Sequence, residues 1–202
     1  MPSPDATLWA DFRAGDEQAF ERIFLAYYDA LYSYGLRLTN DEELTKDCLQ
    51  NLFQRLWQRR SMLGAVEVIR PYLFKALRHQ IADDTKVQQR HSLLPSDYPV
   101  EFEVQYSPED FLIAQQLTAE QQVQLLAALA QLTSRQREAI HLKFFDGFAY
   151  ERIADIMAVT PQSVRNLVHQ GLKQLKQSLT LALWLLVGMG WCQGTQIVIL
   201  NF

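Results

Sequence analysis

The 202-residue chain has few of the residues that interrupt helices or cross-link chains. It contains only 8 Gly and 7 Pro, so periodic apolar segments can run without breaks and we expect mostly helix. The two cysteines, Cys48 and Cys192, lie far apart and outside any metal-binding or redox spacing. This is typical of a reduced protein without a structural disulfide. The residues after Met1 lack the basic and apolar run of a secretion signal, so we predict a cytoplasmic location.

Positive charge is absent from two long segments. No Lys or Arg lies between Ser92 and Ser134, a stretch that carries six acids, and no charged side chain follows Lys176. The segment 55–90, in contrast, has eight basic residues and three acidic ones. The net charge of −4 argues mildly against nucleic-acid binding. Two basic surfaces separated by an acidic segment nevertheless fit two contacts with one polyanion, although solvated helix faces would give the same pattern.

Apolar residues recur at helical spacing through the first half of the chain. The pattern predicts helices over about 16–38 and 42–60, with Asn40 and Asp41 as the break and cap between them. A loop over Ser61–Glu67 and a third helix beginning near Pro71 complete a helical domain over residues 8–91. Three prolines among acids then predict an acidic linker of irregular structure over residues 92–108.

The segment from Tyr150 to Lys176 predicts a helix-turn-helix inside a second helical domain, residues 109–177. A short amphipathic helix precedes a turn at Ala158, and Thr160 can cap a second helix that has Pro161 at its first position. In this motif the second helix enters the major groove of DNA. Its polar face carries the candidate base-reading residues Gln162, Ser163, Arg165, Asn166 and His169, and the candidate phosphate contacts Lys173 and Lys176. A helical hairpin inside a bundle is the alternative.

Several segments resemble the extracytoplasmic function (ECF) subfamily of sigma-70 factors. Residues 132–138 (LTSRQRE) and 144–154 (FFDGFAYERIA) resemble the family's region four, and residues 47–57 (DCLQNLFQRLW) resemble the region-two helix that binds the polymerase clamp. Residues 70–78 (RPYLFKALR) look like the start of the promoter-melting helix. The order of the segments also matches, over residues 8–177.

The chain departs from the family pattern at a few positions, which bear on promoter sequence and affinity more than on the fold. Ala149 replaces a usual Ser, and Ala158 replaces a usual Gly in the turn. Leu167 and Gln170 stand where Arg is frequent, which implies fewer phosphate contacts and a weaker dependence on salt.

The resemblance implies an RNA polymerase sigma factor that directs promoter recognition, DNA melting and transcription initiation. Its partners would be core RNA polymerase, promoter DNA and an anti-sigma factor. Asp47, Gln50 and Phe53 would contact the polymerase clamp, although Phe53 also suits the core. The loop 61–69 would capture an unstacked base of the −10 element. The residues that would bind the −10 strand are Tyr72, Lys75, Arg78, His79, Lys86 and Arg90, and the recognition helix would read the −35 element.

The sequence has no pattern that indicates catalysis, a metal or a cofactor. It has no phosphate-binding glycine loop, zinc-ligand spacing or nucleophile motif, and its four histidines are scattered. We therefore expect a protein that is not an enzyme and that needs no cofactor. Two other functions fit parts of the chain. A helix-turn-helix regulator that is not a polymerase subunit would leave the pattern at 47–90 unused, and a helical adaptor that binds only proteins would fit the net acidity.

The last segment, residues 178–202, is apolar and lies outside the resemblance. We expect Leu179–Trp191 to be helical and to bury apolar surface. A bilayer span needs about 20 mostly apolar residues, and glycines and glutamines interrupt this run from Gly188 onward. Membrane contact is therefore not the favoured interpretation. Three accounts stay open: packing onto the second domain, binding to a membrane or an anti-sigma factor, and an extension that arose from an altered reading frame. The predicted fold is thus all-α, with two small helical domains, an acidic linker and an apolar tail.

Overall fold

The computed structural model describes residues 3–91 and 127–190, and the side chains of residues 3–85 and 127–177. All regular structure in these ranges is helical, which confirms the all-α fold. The first unit consists of α1 (Pro4–Ala14), α2 (Glu17–Thr39), α3 (Glu42–Arg59), a 3₁₀ turn (Arg60–Met62) and α4 (Ile69–His91). The second unit has a helical turn at 127–130, followed by α5 (Ser134–Phe144), α6 (Tyr150–Met157) and α7 (Pro161–Gly190). The acidic linker and residues 109–126 lie outside the described residues.

Polar caps fix where the helices begin, at the positions that the sequence predicts. The Asp41 carboxylate accepts a hydrogen bond from the backbone N–H of Leu44 at 3.0 Å, at the start of α3. The Thr160 hydroxyl accepts one from the N–H of Ser163 at 3.1 Å, at the start of α7. Each cap satisfies a backbone donor that has no partner within its own helix. The breaks between helices are therefore encoded locally.

The first unit packs around an aromatic core. Trp9 and Phe12 of α1, Tyr34 of α2 and Phe74 of α4 are all fully buried. The Trp9 and Phe12 ring centroids lie 5.0 Å apart, and those of Tyr34 and Phe74 lie 4.9 Å apart. Burial of such large apolar side chains is the main stabilising term in a small domain.

A chain of polar side chains joins α3 to α4 beside this core. Arg55 donates to the Gln80 side-chain oxygen at 2.5 Å, and Gln80 donates to Asp84 at 2.7 Å. The Cys48 thiol donates to the same Asp84 carboxylate at 3.3 Å. Burial and this hydrogen bond raise the pKa of the Cys48 thiol to about 12. The thiol is therefore protonated and unreactive at neutral pH.

In the second unit, α5 and α7 approach closely at Gly171. A Cβ atom added there would lie 2.7 Å from Cδ1 of Ile140, so a larger residue would push the helices apart. Leu175 packs on the same side, against a small cluster that includes Ile140. The sequence also places Leu172 in the buried stripe, but Leu172 is 42% exposed. Because it lies about 100° around the helix from Gly171, it falls on the flank of the contact.

The two units share one continuous apolar core. Phe148, just before α6, packs edge-on against Phe74 of α4 with ring centroids 5.0 Å apart. At the other end of the second unit, α7 continues to Gly190, so the backbone of residues 179–190 is helical as the sequence predicts. Within the part of the chain that the structure describes, no helix combines the length and apolar character needed to cross a membrane.

Candidate nucleic-acid interface

The helix-turn-helix is formed by α6 and α7, joined by a turn of three residues. Ala158 ends α6 in the left-handed conformation, with φ 54° and ψ 47°. No side-chain cap closes the start of the same helix at Ala149. The predicted −35 contacts all lie on α7. Among them Ser163 is half-buried, and the exposed residues are Gln162, Arg165, Asn166, His169, Lys173 and Lys176. The motif therefore presents one polar face, with the predicted base-reading residues near its start.

Arg165 is oriented by the first turn of α6. Its guanidinium lies 2.9 Å from the Glu151 carboxylate and 5.5 Å from the ring centroid of Tyr150. Both partners in the ion pair are substantially exposed to solvent. Such exposed pairs contribute little net free energy, so a base or phosphate can replace Glu151 at small cost.

The loop between the 3₁₀ turn and α4, residues 63–68, is fixed by the N-terminal helix. The Ser3 hydroxyl donates to the Glu67 carbonyl at 2.9 Å, and the Trp9 indole N–H donates to the Gly64 carbonyl at 2.9 Å. The Asp5 carboxylate accepts from the backbone N–H of Ile69 at 2.9 Å, which closes the start of α4. The loop is thus held in one conformation, while the neighbouring Met62 side chain is 86% exposed.

The predicted −10 contacts are distributed along α4. Lys75 and His79 are exposed. Tyr72 is half-buried and packs edge-on against Trp9 at 5.0 Å, so it belongs partly to the core. Lys86 and Arg90 lie on the same helix, but their side chains are outside those described.

A shallow pocket of about 270 Å³ lies beside these residues. The loop 63–68 and α4 form one wall, and the second unit contributes Arg152 and Asp155 of α6. The predicted base-capturing loop therefore faces the second unit.

Arg78, the remaining predicted −10 contact, is engaged by the second unit. Its Nε donates to the Glu138 carboxylate at 2.7 Å and its Nη2 donates to the second oxygen at 3.4 Å. The Tyr34 hydroxyl donates to Glu138 as well, at 2.8 Å. The side chain of Glu138 is only 4% exposed and that of Arg78 is 22% exposed. Burial and the neighbouring Glu138 charge raise the pKa of Tyr34 well above its usual value.

A second ion pair joins the units at the start of α4. Arg70 donates to the Asp146 carboxylate and to the Asp146 carbonyl, both at 2.6 Å. His141 lies 3.4 Å from the other carboxylate oxygen. Burial raises the pKa of Asp146 to about 6 although Arg70 and Arg37 act to lower it. Burial, with a smaller contribution from the same arginines, lowers the pKa of His141 to about 3, so the imidazole is neutral.

Two of the predicted clamp contacts, Gln50 and Phe53, line an apolar groove between α2 and α3. Asp47 and Gln50 are exposed on α3. Phe53 is 4% exposed and packs against Phe24 with ring centroids 4.8 Å apart, so it is a core residue that also lines the groove. The groove has a volume of about 530 Å³. Its lining residues are Phe20, Phe24, Tyr28, Lys46, Gln50, Phe53, Gln54 and Trp57.

Some residues at these surfaces were missed from the sequence. Ser3 and Asp5, which bond to the loop 63–68 and to the start of α4, could have been noticed in the sequence. A serine, a proline and an acid in succession are typical of the start of a helix. Glu138 and Asp146 have no such signal. Their partners lie 60 and 76 residues away in the chain, and no helical periodicity connects them.

Comparisons with known proteins point to one family. The model described as "Sigma-70, region 4" matches residues 122–175. The chain is 25% identical over 171 residues to the ECF RNA polymerase sigma factor SigL of Mycobacterium tuberculosis, covering 82% of this chain and 94% of that protein. It is 24% identical over 169 residues to the ECF RNA polymerase sigma factor SigX of Bacillus subtilis, covering 82% and 86%.

Solved structures show the same fold. CnrH in complex with the cytosolic domain of CnrY matches with a TM-score of 0.59 at 16% identity, covering 88% of this chain and 98% of that one. The sigma factor RpoE from Bartonella quintana, in complex with the anti-sigma factor NepR, matches with a TM-score of 0.56 at 21% identity, covering 81% and 98%.

Proposed function

We propose that this chain is a sigma factor of the extracytoplasmic function subfamily of the sigma-70 family, and that its two helical units divide promoter recognition between them. The proposal rests on the match to sigma-70 region 4 and on the similarity to SigL and SigX. The second unit reads the −35 element, and the first binds core polymerase and the −10 element. The observation that carries this assignment is the exposed polar face of α7, which follows a tight turn after the short helix α6. This is the arrangement that presents a helix to the major groove.

Reading of the −35 element rests on side chains near the start of α7. Arg165 can form two hydrogen bonds to guanine, and Asn166 can do the same with adenine. Lys173 and Lys176 lie two to three turns farther along, where phosphates are the natural partners. Contacts with bases confer base preference, whereas contacts with phosphates strengthen binding to every sequence.

Binding to core polymerase is assigned to the groove between α2 and α3. Its floor is aromatic, Lys46, Gln50 and Gln54 add polar groups to its lining, and Asp47 is exposed on the same helix. An apolar centre with a polar rim is the usual composition of a protein interface. A helix from the partner would fit such a groove through apolar residues spaced three and four apart.

Capture of an unstacked −10 base is assigned to the loop 63–68. Extruding a base from the stack costs a few kcal/mol, and a loop that must also become ordered would add to that cost. The hydrogen bonds from Ser3 and Trp9 to this loop support the assignment, since they fix its conformation in advance. Lys75 and His79 lie about two and three turns from the start of α4, where they can hold phosphates.

The partners of this chain are then core RNA polymerase, promoter DNA and an anti-sigma factor. Joining two weak DNA contacts by a linker raises the effective concentration of the second once the first has formed. We place this activity in the cytoplasm, where transcription occurs. The chain contributes recognition and melting, and catalysis belongs to the polymerase.

Run-off transcription with purified core polymerase and a library of promoter templates tests the proposal. We expect this chain to direct initiation from a subset of templates that share −10 and −35 sequences. DNA binding without capture of core polymerase would instead indicate a helix-turn-helix regulator. Binding to core without promoter selection would refute the assignment of α7.

The clamp assignment predicts a specific loss of core binding. Asp47→Arg combined with Gln50→Ala should weaken binding to core polymerase at least about tenfold, because it reverses an exposed charge on α3 and removes an amide that lines the groove. Asp83→Arg is the matched charge reversal, at an exposed position on α4 outside the groove. Affinity can be measured by titrating labelled core polymerase. Equal affinities for the double variant and the parent would contradict the assignment.

A further inference from the structure

Helix α7 changes character along its length. Its first half carries the polar face of the recognition helix, whereas residues 179–190 contain no charged side chain, and Thr180 is their only residue with a hydroxyl or amide group. The backbone is helical through all of these residues, to Gly190. With this composition, no side of the second half of α7 can form a polar face. A helix that is apolar all round is buried on every side, either in the interior of a large protein or in a membrane.

The second unit contacts one face of α7 just before this apolar segment. A Cβ atom added at Gly171 would meet Ile140, and Leu175 packs against the cluster that includes Ile140. Gln174 donates to a backbone carbonyl of the same unit at 3.1 Å. Positions spaced three and four residues apart share one face of a helix. A neighbour on one face covers a stripe about 100° wide, so by itself it leaves most of the apolar surface of residues 179–190 to another partner.

The continuity of α7 bears on where this surface is covered. A tail that folded back onto the second unit would need a break in the helix after Lys176. The backbone has no break before Gly190, so residues 179–190 continue in the direction of the recognition helix. The sequence alone makes membrane contact the less favoured account of the tail, and the unbroken helix reverses that order.

The charges on α7 suit an anionic surface. The helix carries Arg165, Lys173 and Lys176 and no acidic residue. Both lysines are exposed, and they lie within two turns of the first apolar residue, Leu179. When an apolar segment enters the hydrocarbon of a membrane, cations at its boundary reach the depth of the lipid phosphates. The order of cations and apolar residues along α7 is therefore the one that a bilayer with anionic lipids would bind.

The length of the apolar segment corresponds to one leaflet. Residues 179–190 extend about 18 Å as a helix. The hydrocarbon core of a bilayer is about 30 Å thick, so each leaflet contributes about 15 Å, and a helix needs about 20 residues to cross both. Apolar runs of this shorter length are typical of buried core helices or of segments that enter a membrane from one side.

We propose that the apolar end of α7 docks on an anionic lipid bilayer, with residues 179–190 in the hydrocarbon of one leaflet and Lys173 and Lys176 against the headgroup phosphates. The same two lysines are the proposed phosphate contacts at the −35 element, so the bilayer and promoter DNA compete for them. This competition rests on the proposed function, whereas the docking does not. A membrane-bound chain is thus kept from the −35 element.

Flotation of the full chain with lipid vesicles tests the docking. The vesicles are phosphatidylcholine alone, or phosphatidylcholine with about 25% phosphatidylglycerol. Leu181→Asp with Leu183→Asp places carboxylates on opposite sides of the helix. This variant should partition into the anionic vesicles at least about tenfold less than the parent, because a carboxylate is costly in hydrocarbon. Leu25→Asp with Met62→Asp is the matched control, since it adds the same charge at exposed apolar positions outside α7, and it should float as the parent does.

The role of the lysines is tested separately. Lys173→Gln with Lys176→Gln should weaken binding to the anionic vesicles by about fivefold for each lysine, and should leave binding to phosphatidylcholine unchanged. Arg22→Gln with Arg59→Gln is the control, because it removes the same charge from exposed positions of the first unit. Its effect should be smaller. Losses of equal size in the two variants would overturn the placement of the lysines at the headgroups.

Run-off transcription with core polymerase measures the competition. Anionic vesicles should lower transcription by the parent and leave transcription by Leu181→Asp with Leu183→Asp unchanged. Vesicles that bind the chain without lowering its transcription would overturn the competition. A chain that fails to initiate in the absence of vesicles would instead overturn the proposed function, since flotation includes neither DNA nor polymerase.

Thermal unfolding without vesicles separates a membrane from a protein interior. If residues 179–190 were packed in a protein core, Leu181→Asp with Leu183→Asp would lower Tm more than Leu25→Asp with Met62→Asp does. For a segment that docks on lipid, the two variants should have similar Tm values. A selective loss of Tm in the α7 variant would overturn the proposal. So would a parent chain that does not float with anionic vesicles, or that floats no better than the α7 variant.

Discussion

Helix α6 lacks a good cap at either end, and we predict that restoring both caps stabilises the protein. Ala158 ends the helix in the left-handed region, at φ 54°. Ala149 begins it without a side-chain hydrogen bond, although its φ of −70° and ψ of 152° are already those of a capping residue. Ala158→Gly and Ala149→Ser should therefore each act without moving the backbone.

The expected magnitudes follow from these two conformations. A residue with a Cβ atom loses about 1–2 kcal/mol in the left-handed region, whereas glycine loses about 0.4–1 kcal/mol through the greater freedom of its unfolded chain. The net gain for Ala158→Gly is about 1 kcal/mol. A serine cap contributes about 1 kcal/mol in place of alanine. The two positions are about 13 Å apart along the helix, so the gains should add to about 2 kcal/mol.

Thermal unfolding followed by circular dichroism measures the effect. For a chain of this length, about 1 kcal/mol corresponds to about 2–4 °C in Tm, so the double variant should gain about 4–8 °C. Ala82→Gly, inside α4, is the control and should lose about 1 kcal/mol. An unchanged Tm for Ala158→Gly, or a loss like that of the control, would refute the claim that the turn is strained.

The remaining predictions concern recognition, pH and the tail. Arg165→Ala should relax base preference at −35 and cost about 1–3 kcal/mol, whereas Lys173→Ala should weaken all sequences alike in a binding titration. The pKa of His141 is about 3 in the fold, so the folded chain keeps the imidazole neutral while the unfolded chain protonates it below its usual pKa of 6.5. The contribution of His141 to the stability of the fold is therefore complete above pH 6.5 and is lost as the pH falls towards 3. Asp146, with a pKa of about 6, opposes this because it stabilises the fold as pH falls through 6. The larger shift belongs to His141, so Tm should fall between pH 7 and pH 5, and more steeply in Asp146→Asn. Deleting residues 179–202 should leave promoter selection intact and change solubility, membrane partitioning or stability.

Each of these predictions has an outcome that contradicts it. If Arg165→Ala and Lys173→Ala weakened DNA binding equally, and to the same degree for every sequence, Arg165 would be a phosphate contact. A Tm that is constant or rises as pH falls from 7 to 5 would contradict the account of His141. If the deletion left solubility, membrane partitioning and stability unchanged, the apolar tail would have no role in this chain.

The helices could be predicted because their determinants are local. Asp41 and Thr160 cap the helices that the sequence assigns to them, and the turn at Ala158 lies between two segments of helical periodicity. The recognition helix could be identified for the same reason, since its exposed and buried residues alternate with the helical period. The ECF resemblance of the segments at 47–57 and 144–154 added the functional interpretation.

The arrangement of the two units could not be predicted from the sequence. Glu138 appears there as an ordinary acid at the start of a helix, and only the folded chain brings it to Arg78 and Tyr34. For Phe53 the sequence left both a clamp contact and a core position open, and only the structure shows which ring it meets, that of Phe24. Long-range packing determines both outcomes, and helical periodicity carries no information about which distant residues meet.

Helix α7 runs without a break for 30 residues, which corresponds to a length of about 45 Å. The residues that read DNA lie in its first turns, and the helical part of the apolar tail forms its far end, which reaches about 29 Å beyond Gly171. A partner bound to that far end would therefore be held at a fixed distance and direction from the recognition residues, because one continuous helix carries both.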